Sequence, residues 1–121
     1  MEAIFRIYED ILVVKVVGDV DHHTASRLRE GIDESMKRSG CIDLVMDFSN
    51  VEMMDSSGIG VVLGRYKKMS GNKGRMCISG CSALAEKVLE MAGGFSIVKK
   101  CEDEKSAIDF LKGQGQICME V

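Results

Sequence analysis

Residues 42–48 (IDLVMDF) form an apolar stretch that only Asp43 and Asp47 interrupt. A strand with one solvent-exposed face alternates apolar and polar residues, whereas a strand that is covered on both faces is apolar throughout. The stretch is therefore predicted to be the central strand of a sheet that helices cover. Strands alternating with helices require crossover connections, so this sheet is expected to be largely parallel.

Periodic patterns around this strand predict the element order β-β-α-β-α-β-α-β-α. Residues 4–8 and 11–17 are interpreted as a hairpin that turns at Glu9 and Asp10. Two further strands are predicted over residues 75–79 and 95–98. Helical spacing of apolar residues predicts four helices. Their stripes are Ala25, Leu28, Ile32 and Met36; Ile59, Val62, Leu63, Tyr66 and Met69; Leu84, Val88, Met91 and Ala92; and Ala107, Ile108 and Leu111.

These elements predict one α/β domain with a mixed, mostly parallel sheet of about five strands and about four helices. The sequence after Gly113 has no clear period. Residues 1–112 are therefore interpreted as the domain and residues 113–121 as a C-terminal tail.

Composition narrows the class of protein. The 121 residues are 45% hydrophobic and 29% charged, with a net charge of −3, which is typical of a globular protein and argues against nucleic-acid binding. No apolar run approaches the ~20 residues of a membrane span, and the N-terminus lacks the pattern of a secretory leader. We expect a cytoplasmic protein that binds neither nucleic acid nor membrane.

Cysteine spacing and nucleotide motifs argue against a bound cofactor. The five cysteines are odd in number and show no CxxC pair, so neither a disulfide framework nor a zinc site is expected. The sequence contains no GxxxxGK[ST] and no GxGxxG, so it has no nucleotide motif of its own. We expect no metal and no cofactor.

Two loops are candidates for function, because ligands and partners meet parallel sheets at the carboxyl ends of their strands. One loop is residues 18–24 (GDVDHHT), and the other is residues 55–58 (DSSG). Asp55 is predicted to be the N-cap of the following helix, which places Ser56 and Ser57 in its first turn. Unpaired backbone N–H groups in a first turn favour a phosphate.

The paired serines admit three interpretations: a nucleophile, an anion site or a phosphate acceptor. A hydrolytic serine needs a base, and the only histidines, His22 and His23, lie in the other loop. A site built from Ser56, His23 and Asp21 is conceivable, but no spacing supports it, and GxSxG is absent. The residues therefore disfavour an enzyme.

Three segments resemble a known family. Residues 20–25 (VDHHTA), residues 54–67 (MDSSGIGVVLGRYK) and residues 89–93 (LEMAG) are similar to the first-helix entry, the phosphorylation segment and the third-helix end of anti-sigma-factor antagonists. These proteins are STAS domains, and the likeness is greatest to the sporulation branch, which acts on the anti-sigma F factor. It covers roughly residues 4–111, and the STAS fold agrees with the order of elements above.

The resemblance implies a partner-switching cycle without catalysis by the chain itself. The unphosphorylated protein would bind a dimeric, nucleotide-loaded anti-sigma factor and release the sigma factor. The anti-sigma factor is also a serine kinase, which would phosphorylate Ser56 and end binding, and a PP2C-type phosphatase would remove the phosphate. The implied partner-binding residues are Asp21, His22, His23, Asp55, Ser57, Gly58, Ile59 and Gly60.

Two alternatives to this function remain. One is another STAS-type binding module, such as a general stress antagonist or a small-ligand sensor. The other is an enzyme that uses Ser56 or the histidines, which the residues disfavour.

Overall fold

The chain begins with the predicted hairpin. The computed structural model describes residues 1–93 and 98–120, with side chains through residue 112. Strands β1 (Glu2–Tyr8) and β2 (Ile11–Val17) pair antiparallel along their whole length. Between them, Glu9 has a φ of 55°, the left-handed conformation that two-residue hairpin turns use. The hairpin and its turn are confirmed.

Five strands form one sheet in the order β1-β2-β3-β4-β5. The later strands are β3 (Asp43–Asn50), β4 (Met76–Ser79) and β5 (Lys99–Cys101). Strands β2 to β5 pair in parallel, so the predicted mixed sheet is confirmed and β3 has the predicted central position. The strand predicted over residues 95–98 lies, except for Val98, outside the described residues.

Four helices cover the sheet, as predicted. They are α1 (Ala25–Ser39), α2 (Ser56–Gly71), α3 (Ala83–Met91) and α4 (Glu104–Glu120). The first three pack on one face of the sheet, and α4 packs on the other. The backbone of α4 continues past Gly113, and the division into domain and tail stays a prediction.

Alternation along the central strands divides the core into two layers. Leu12 and Val14 face helices α1 to α3, whereas Val13 and Val45 face α4 and pack near Leu111. All these side chains are nearly inaccessible to solvent. Burial on both faces explains why the central strand is apolar at consecutive positions.

The predicted stripe of α3 is wrong. Ala85 and Leu89 are buried, whereas Leu84 and Met91 are 47% and 80% exposed. The Ser82 hydroxyl caps the helix by accepting the N–H of Ala85, and it also donates to the Glu52 carbonyl at 2.9 Å. This second contact ties the start of α3 to the loop after β3. The rotation of α3 differs from the one the stripe indicated, because Ala85 and Leu89 pack into the core.

The stripe of α2 is partly right. Val62 and Met69 are buried, whereas Ile59, Leu63 and Tyr66 are half-buried and Val61 is buried in their place. Helix α2 packs beside α1, and an ion pair between Arg65 and Asp33 joins the two helices. Lys68 approaches the same carboxylate at 3.6 Å. Arg65 and Lys68 therefore help to hold α2 against α1.

The turn after α2 supplies a test of the packing. A Cβ on Gly74 would lie 2.0 Å from the carbonyl oxygen of Ile42, whereas a Cβ on Gly64 would meet nothing within 4 Å. We predict that Gly74→Ala lowers the free energy of unfolding by about 2 kcal/mol or more, because backbone must shift. Gly64→Ala, inside α2, is expected to raise it by ~0.5–1 kcal/mol. Urea unfolding of both variants measures this, and equal effects would contradict the packing described.

Candidate functional site

The loops after β2 and β3 lie side by side at one end of the sheet. Val20 and Met54 form an isolated parallel bridge, and the N–H of Asp55 donates to the Val20 carbonyl at 3.3 Å. The Asp19 carboxylate accepts a hydrogen bond from the N–H of Met53 at 3.2 Å. The predicted common edge is thus confirmed. The surface formed by residues 18–24 and 53–60 is called the rim below.

Asp55 is the N-cap of α2, as predicted. Its backbone is extended, with φ −96° and ψ −170°. Its Oδ1 accepts hydrogen bonds from the N–H groups of Ser57 at 2.8 Å and Gly58 at 3.4 Å. The carboxylate therefore already occupies two of the N–H groups that a helix leaves unpaired at its start.

The two serines differ in exposure. Ser56 is the first residue of α2 and is exposed, whereas Ser57 is half-buried. No described residue makes a hydrogen bond with the Ser56 hydroxyl. Of the two hydroxyl groups, that of Ser56 is the more accessible to an enzyme that transfers a phosphoryl group.

The two glycines of the segment have different roles. A Cβ on Gly58 would lie 2.9 Å from the Met54 Cβ and 3.3 Å from the Val20 Cβ, so glycine allows α2 to approach the bridge between the loops. A Cβ on Gly60 would meet nothing within 4 Å, and Gly60 is exposed. Ile59, between the two glycines in the chain, is half-buried and packs against the core.

Asp21 organises the other loop. Its Oδ1 accepts the N–H groups of His23 at 2.9 Å and Thr24 at 3.1 Å, and the Thr24 hydroxyl at 3.2 Å. Partial burial opposes ionisation of this carboxyl, but these hydrogen bonds and the nearby His23 outweigh it and lower the pKa of Asp21 below its usual value. Asp21 is therefore an anion at neutral pH.

The histidines are surface groups. His22 and His23 are exposed, and their ring centroids lie 3.9 Å apart. Among the described residues, Asp21 bonds to the backbone of His23 and not to its ring, and no hydrogen bond joins either ring to Ser56. The three residues of the conceivable hydrolytic site thus share the rim without the linked hydrogen bonds of a triad.

The rim carries residues that sequence reasoning missed. Asp19, Val20 and Met54 join the loops, and the link from Ser82 to the Glu52 carbonyl adds α3 to the same edge. Val20, an apolar residue inside the otherwise polar loop of residues 18–24, was the available signal. Glu52 and Asp19 are exposed, and they add negative charge beside Asp21 and Asp55.

Other candidate sites lie elsewhere. A groove of about 1100 Å³ runs between the C-terminal halves of α1 and α2, lined in part by Met36, Leu44 and Met69. It is at the end of the sheet opposite the rim, because it faces the start of β3 and not its end.

In the described part of the chain, no cluster of His, Cys, Asp and Glu suits a metal ion, and no helix meets the length and hydropathy of a membrane span.

Of the four cysteines whose side chains are described, Cys41 and Cys77 are buried and Cys81 and Cys101 are half-buried. Cys41, Cys77, Cys81 and Cys101 are free thiols. Burial is the main cause that raises the pKa of Cys77 to about 12 and that of Cys81 to about 11. Both are therefore protonated at neutral pH, where thiols are poor nucleophiles and poor metal ligands.

The cap of α2 can be tested separately from any partner. We predict that Asp55→Ala lowers the free energy of unfolding by about 1 kcal/mol, because the N–H groups of Ser57 and Gly58 lose their acceptor. Asp55→Asn keeps an acceptor oxygen and is expected to retain most of the stability. Thermal unfolding followed by circular dichroism distinguishes them, and equal losses in both variants would show that the cap is not the cause.

Comparison with known proteins gives one family. Residues 2–107 match the family model of the STAS domain. The chain is 34% identical over 105 residues to the anti-sigma F factor antagonist of Paenibacillus polymyxa, an alignment covering 87% of this chain and 90% of that protein.

Solved structures agree. The unphosphorylated form of the anti-sigma factor antagonist SpoIIAA is similar at a TM-score of 0.81 and 26% identity, covering 93% of this chain and 97% of that one. The phosphorylated form of the Bacillus cell fate determinant SpoIIAA is similar at a TM-score of 0.73 and 25% identity, covering 91% of this chain and 99% of that one. The sequence family, the sheet order and the capped serine segment agree: the chain belongs to the STAS domain family, in its branch of anti-sigma-factor antagonists.

Proposed function

We propose that this chain is a cytoplasmic anti-sigma-factor antagonist that works by partner switching. Unphosphorylated, it binds a dimeric, nucleotide-loaded anti-sigma factor, which then releases the sporulation sigma factor. The anti-sigma factor acts as a serine kinase on Ser56, and a PP2C-type phosphatase restores the unmodified form. The names of the similar proteins support the antagonist role, and the chain itself is a substrate and a regulator, with no catalytic activity.

The observation that carries this proposal is the position of Ser56. It is an exposed hydroxyl at the first residue of a helix of 16 residues. Ser57 is half-buried, and its N–H is held by Asp55. A kinase therefore has easier access to Ser56, which also supports the first serine as the acceptor.

The cap determines how a phosphate would act. A phosphoserine carries about −1.5 to −2 charges at neutral pH. Because Asp55 already accepts the N–H groups of Ser57 and Gly58, the phosphate at Ser56 has less opportunity to bind back onto the helix. Its charge would instead add to that of Asp55 and Asp21 on the outer surface. We therefore expect repulsion of an acidic or nucleotide-loaded partner, with little change of fold.

The partner-binding surface is proposed to be the rim around Ser56. Its exposed or half-buried members are Asp21, His22, His23, Asp55, Ser57, Ile59 and Gly60. Gly58 is buried against Val20 and Met54, so its proposed contribution is to hold the helix close to the loops. A partner that touches the rim would meet residues of both loops together.

Phosphate mapping tests the acceptor. We predict that the kinase and Mg-ATP place one phosphate on the wild-type chain, located at Ser56 by mass spectrometry. Ser56→Ala should abolish the modification and Ser57→Ala should retain it, because Ser56 is exposed whereas Ser57 is half-buried. Phosphate on Ser57 in the wild-type protein would overturn the assignment.

Binding measurements test the switch. We predict that Ser56→Asp weakens binding to the anti-sigma factor by about tenfold or more, a change of ~1.4 kcal/mol, because it adds charge beside Asp55. Ser56→Ala should bind like the unmodified protein. Ser70→Asp adds the same charge at the exposed far end of α2 and is expected to have little effect. Equal affinity of the Ser56→Asp and Ser56→Ala variants in calorimetry would contradict the electrostatic mechanism.

The identity of the kinase separates the proposed function from a general stress antagonist. Purified anti-sigma F and anti-sigma B factors are each incubated with the unmodified chain. We expect binding and phosphorylation with the anti-sigma F factor. Binding to the anti-sigma B factor alone would assign the chain to the general stress branch while leaving Ser56 as the acceptor.

A further inference from the structure

Strand β1 is an edge strand with an unusually apolar surface. It has seven residues, pairs with β2 without irregularity, and has no strand on its outer side among the described residues. Ile4, Phe5, Ile7 and Tyr8 are 47%, 36%, 61% and 45% exposed. A long, regular and apolar edge is a template for pairing with another strand, and proteins usually protect it.

We propose that β1 is a docking edge for a second copy of this chain. The two β1 strands would pair antiparallel about a two-fold axis, which joins the two five-stranded sheets into one continuous sheet. The proposal concerns a surface other than the rim and does not depend on the proposed function.

The charges of β1 select a single register for this pairing. Paired residues lie on the same face of a sheet, so the axis must pass through a residue. An axis at Ile4 places Glu2 opposite Arg6 of the second copy, twice in the dimer. An axis at Phe5 places Glu2 opposite Tyr8 and Arg6 opposite Ile4, and an axis at Arg6 brings like charges together. Only the axis at Ile4 pairs opposite charges.

The charged groups are available for this contact. Glu2 is exposed and has no ion-pair partner among the described residues. Arg6 pairs with Glu104, but its side chain remains 56% exposed. A guanidinium has five N–H donors in a planar fork, so Arg6 can keep Glu104 and also bind a carboxylate of the second copy.

The same register pairs apolar side chains. Ile4 would lie against Ile4 of the second copy, Phe5 against Ala3, and Ile7 against Met1. Phe5 is already held against α1, since a Cβ on Gly31 would lie 2.8 Å from its ring. Its position is thus fixed before association, which reduces the ordering needed on pairing.

The geometry also predicts the strength and the consequence of pairing. A single pair of edge strands buries less than the ~1,000 Å² typical of stable interfaces, so the dimer should form only at high protein concentration. Because the paired strands run antiparallel, the two rims point in opposite directions. Both Ser56 side chains would remain accessible in the dimer.

Sedimentation velocity of the full chain tests this proposal, over ~10 to ~500 μM protein to cover a weak interface. A reducing agent is included because the described cysteines are free thiols. We expect the sedimentation coefficient to rise from the monomer value toward the dimer value. Glu2→Arg and Arg6→Glu should each remain monomeric, because each places like charges opposite one another.

Mixing the two variants is the decisive experiment. A heterodimer of Glu2→Arg and Arg6→Glu pairs opposite charges at both positions, so the equimolar mixture should regain the dimer that neither variant forms alone. Glu30→Arg makes the same change of charge on the exposed surface of α1 and should dimerise like the wild type. Ile4→Lys brings two lysines together at the axis and should be monomeric. This variant replaces Arg6→Glu as a test of the edge if Arg6→Glu does not fold.

A wild-type chain that stays monomeric throughout the range would overturn the proposal. A dimer that Glu2→Arg and Ile4→Lys leave unchanged would show that another surface is used. A mixture that remains monomeric, with both variants folded by circular dichroism, would overturn the register.

Discussion

Burial of β2 and β3 on both faces organises this structure. Helices α1 to α3 cover one face and α4 covers the other, so a slip of either strand by one residue would exchange side chains between the two core layers and disrupt the packing of both. Their register places the ends of the two strands at the same level, and Val20 and Met54 then meet as an isolated bridge. The rim is a direct consequence of this alignment.

Carboxylates within the rim already accept backbone N–H groups that could otherwise bind an anion. Asp21 holds the N–H groups of His23 and Thr24, and Asp55 holds those of Ser57 and Gly58. A helix start with unpaired N–H groups would attract a phosphate to itself. Here the carboxylates of the rim already accept some of these N–H groups. A phosphate added to the rim would therefore change the surface that a partner meets more than it would change the fold.

Strand β1 differs from the other strands because it is covered incompletely. Its Phe5 packs against α1, and its Tyr8 contacts Lys112 of α4, yet its outer edge has no partner among the described residues. Ile4 and Ile7 belong to neither core layer and are 47% and 61% exposed. Self-pairing about Ile4 would explain both their exposure and the spacing of Glu2 and Arg6.

Local patterns in the sequence predicted the features that depend on neighbouring residues. These include the central strand, the hairpin, the cap at Asp55 and the place of Ser56 and Ser57 in the first turn of α2, because capping and strand alternation act within a few positions. The motif also carried the resemblance to the family.

Only the tertiary structure decided what depends on distant contacts. It buried Ala85 and Leu89 of α3 against the sheet and left Leu84 and Met91 of the predicted stripe exposed. It distinguished Gly58, pressed against Val20 and Met54, from the open Gly60, although both occupy the same motif. It also placed the Asp21 carboxylate where it accepts hydrogen bonds from the N–H groups of its own loop. The sequence by itself determined where the two loops of the rim lie in the chain, and packing of residues far apart in the chain decided which of their side chains join the loops and which face outward.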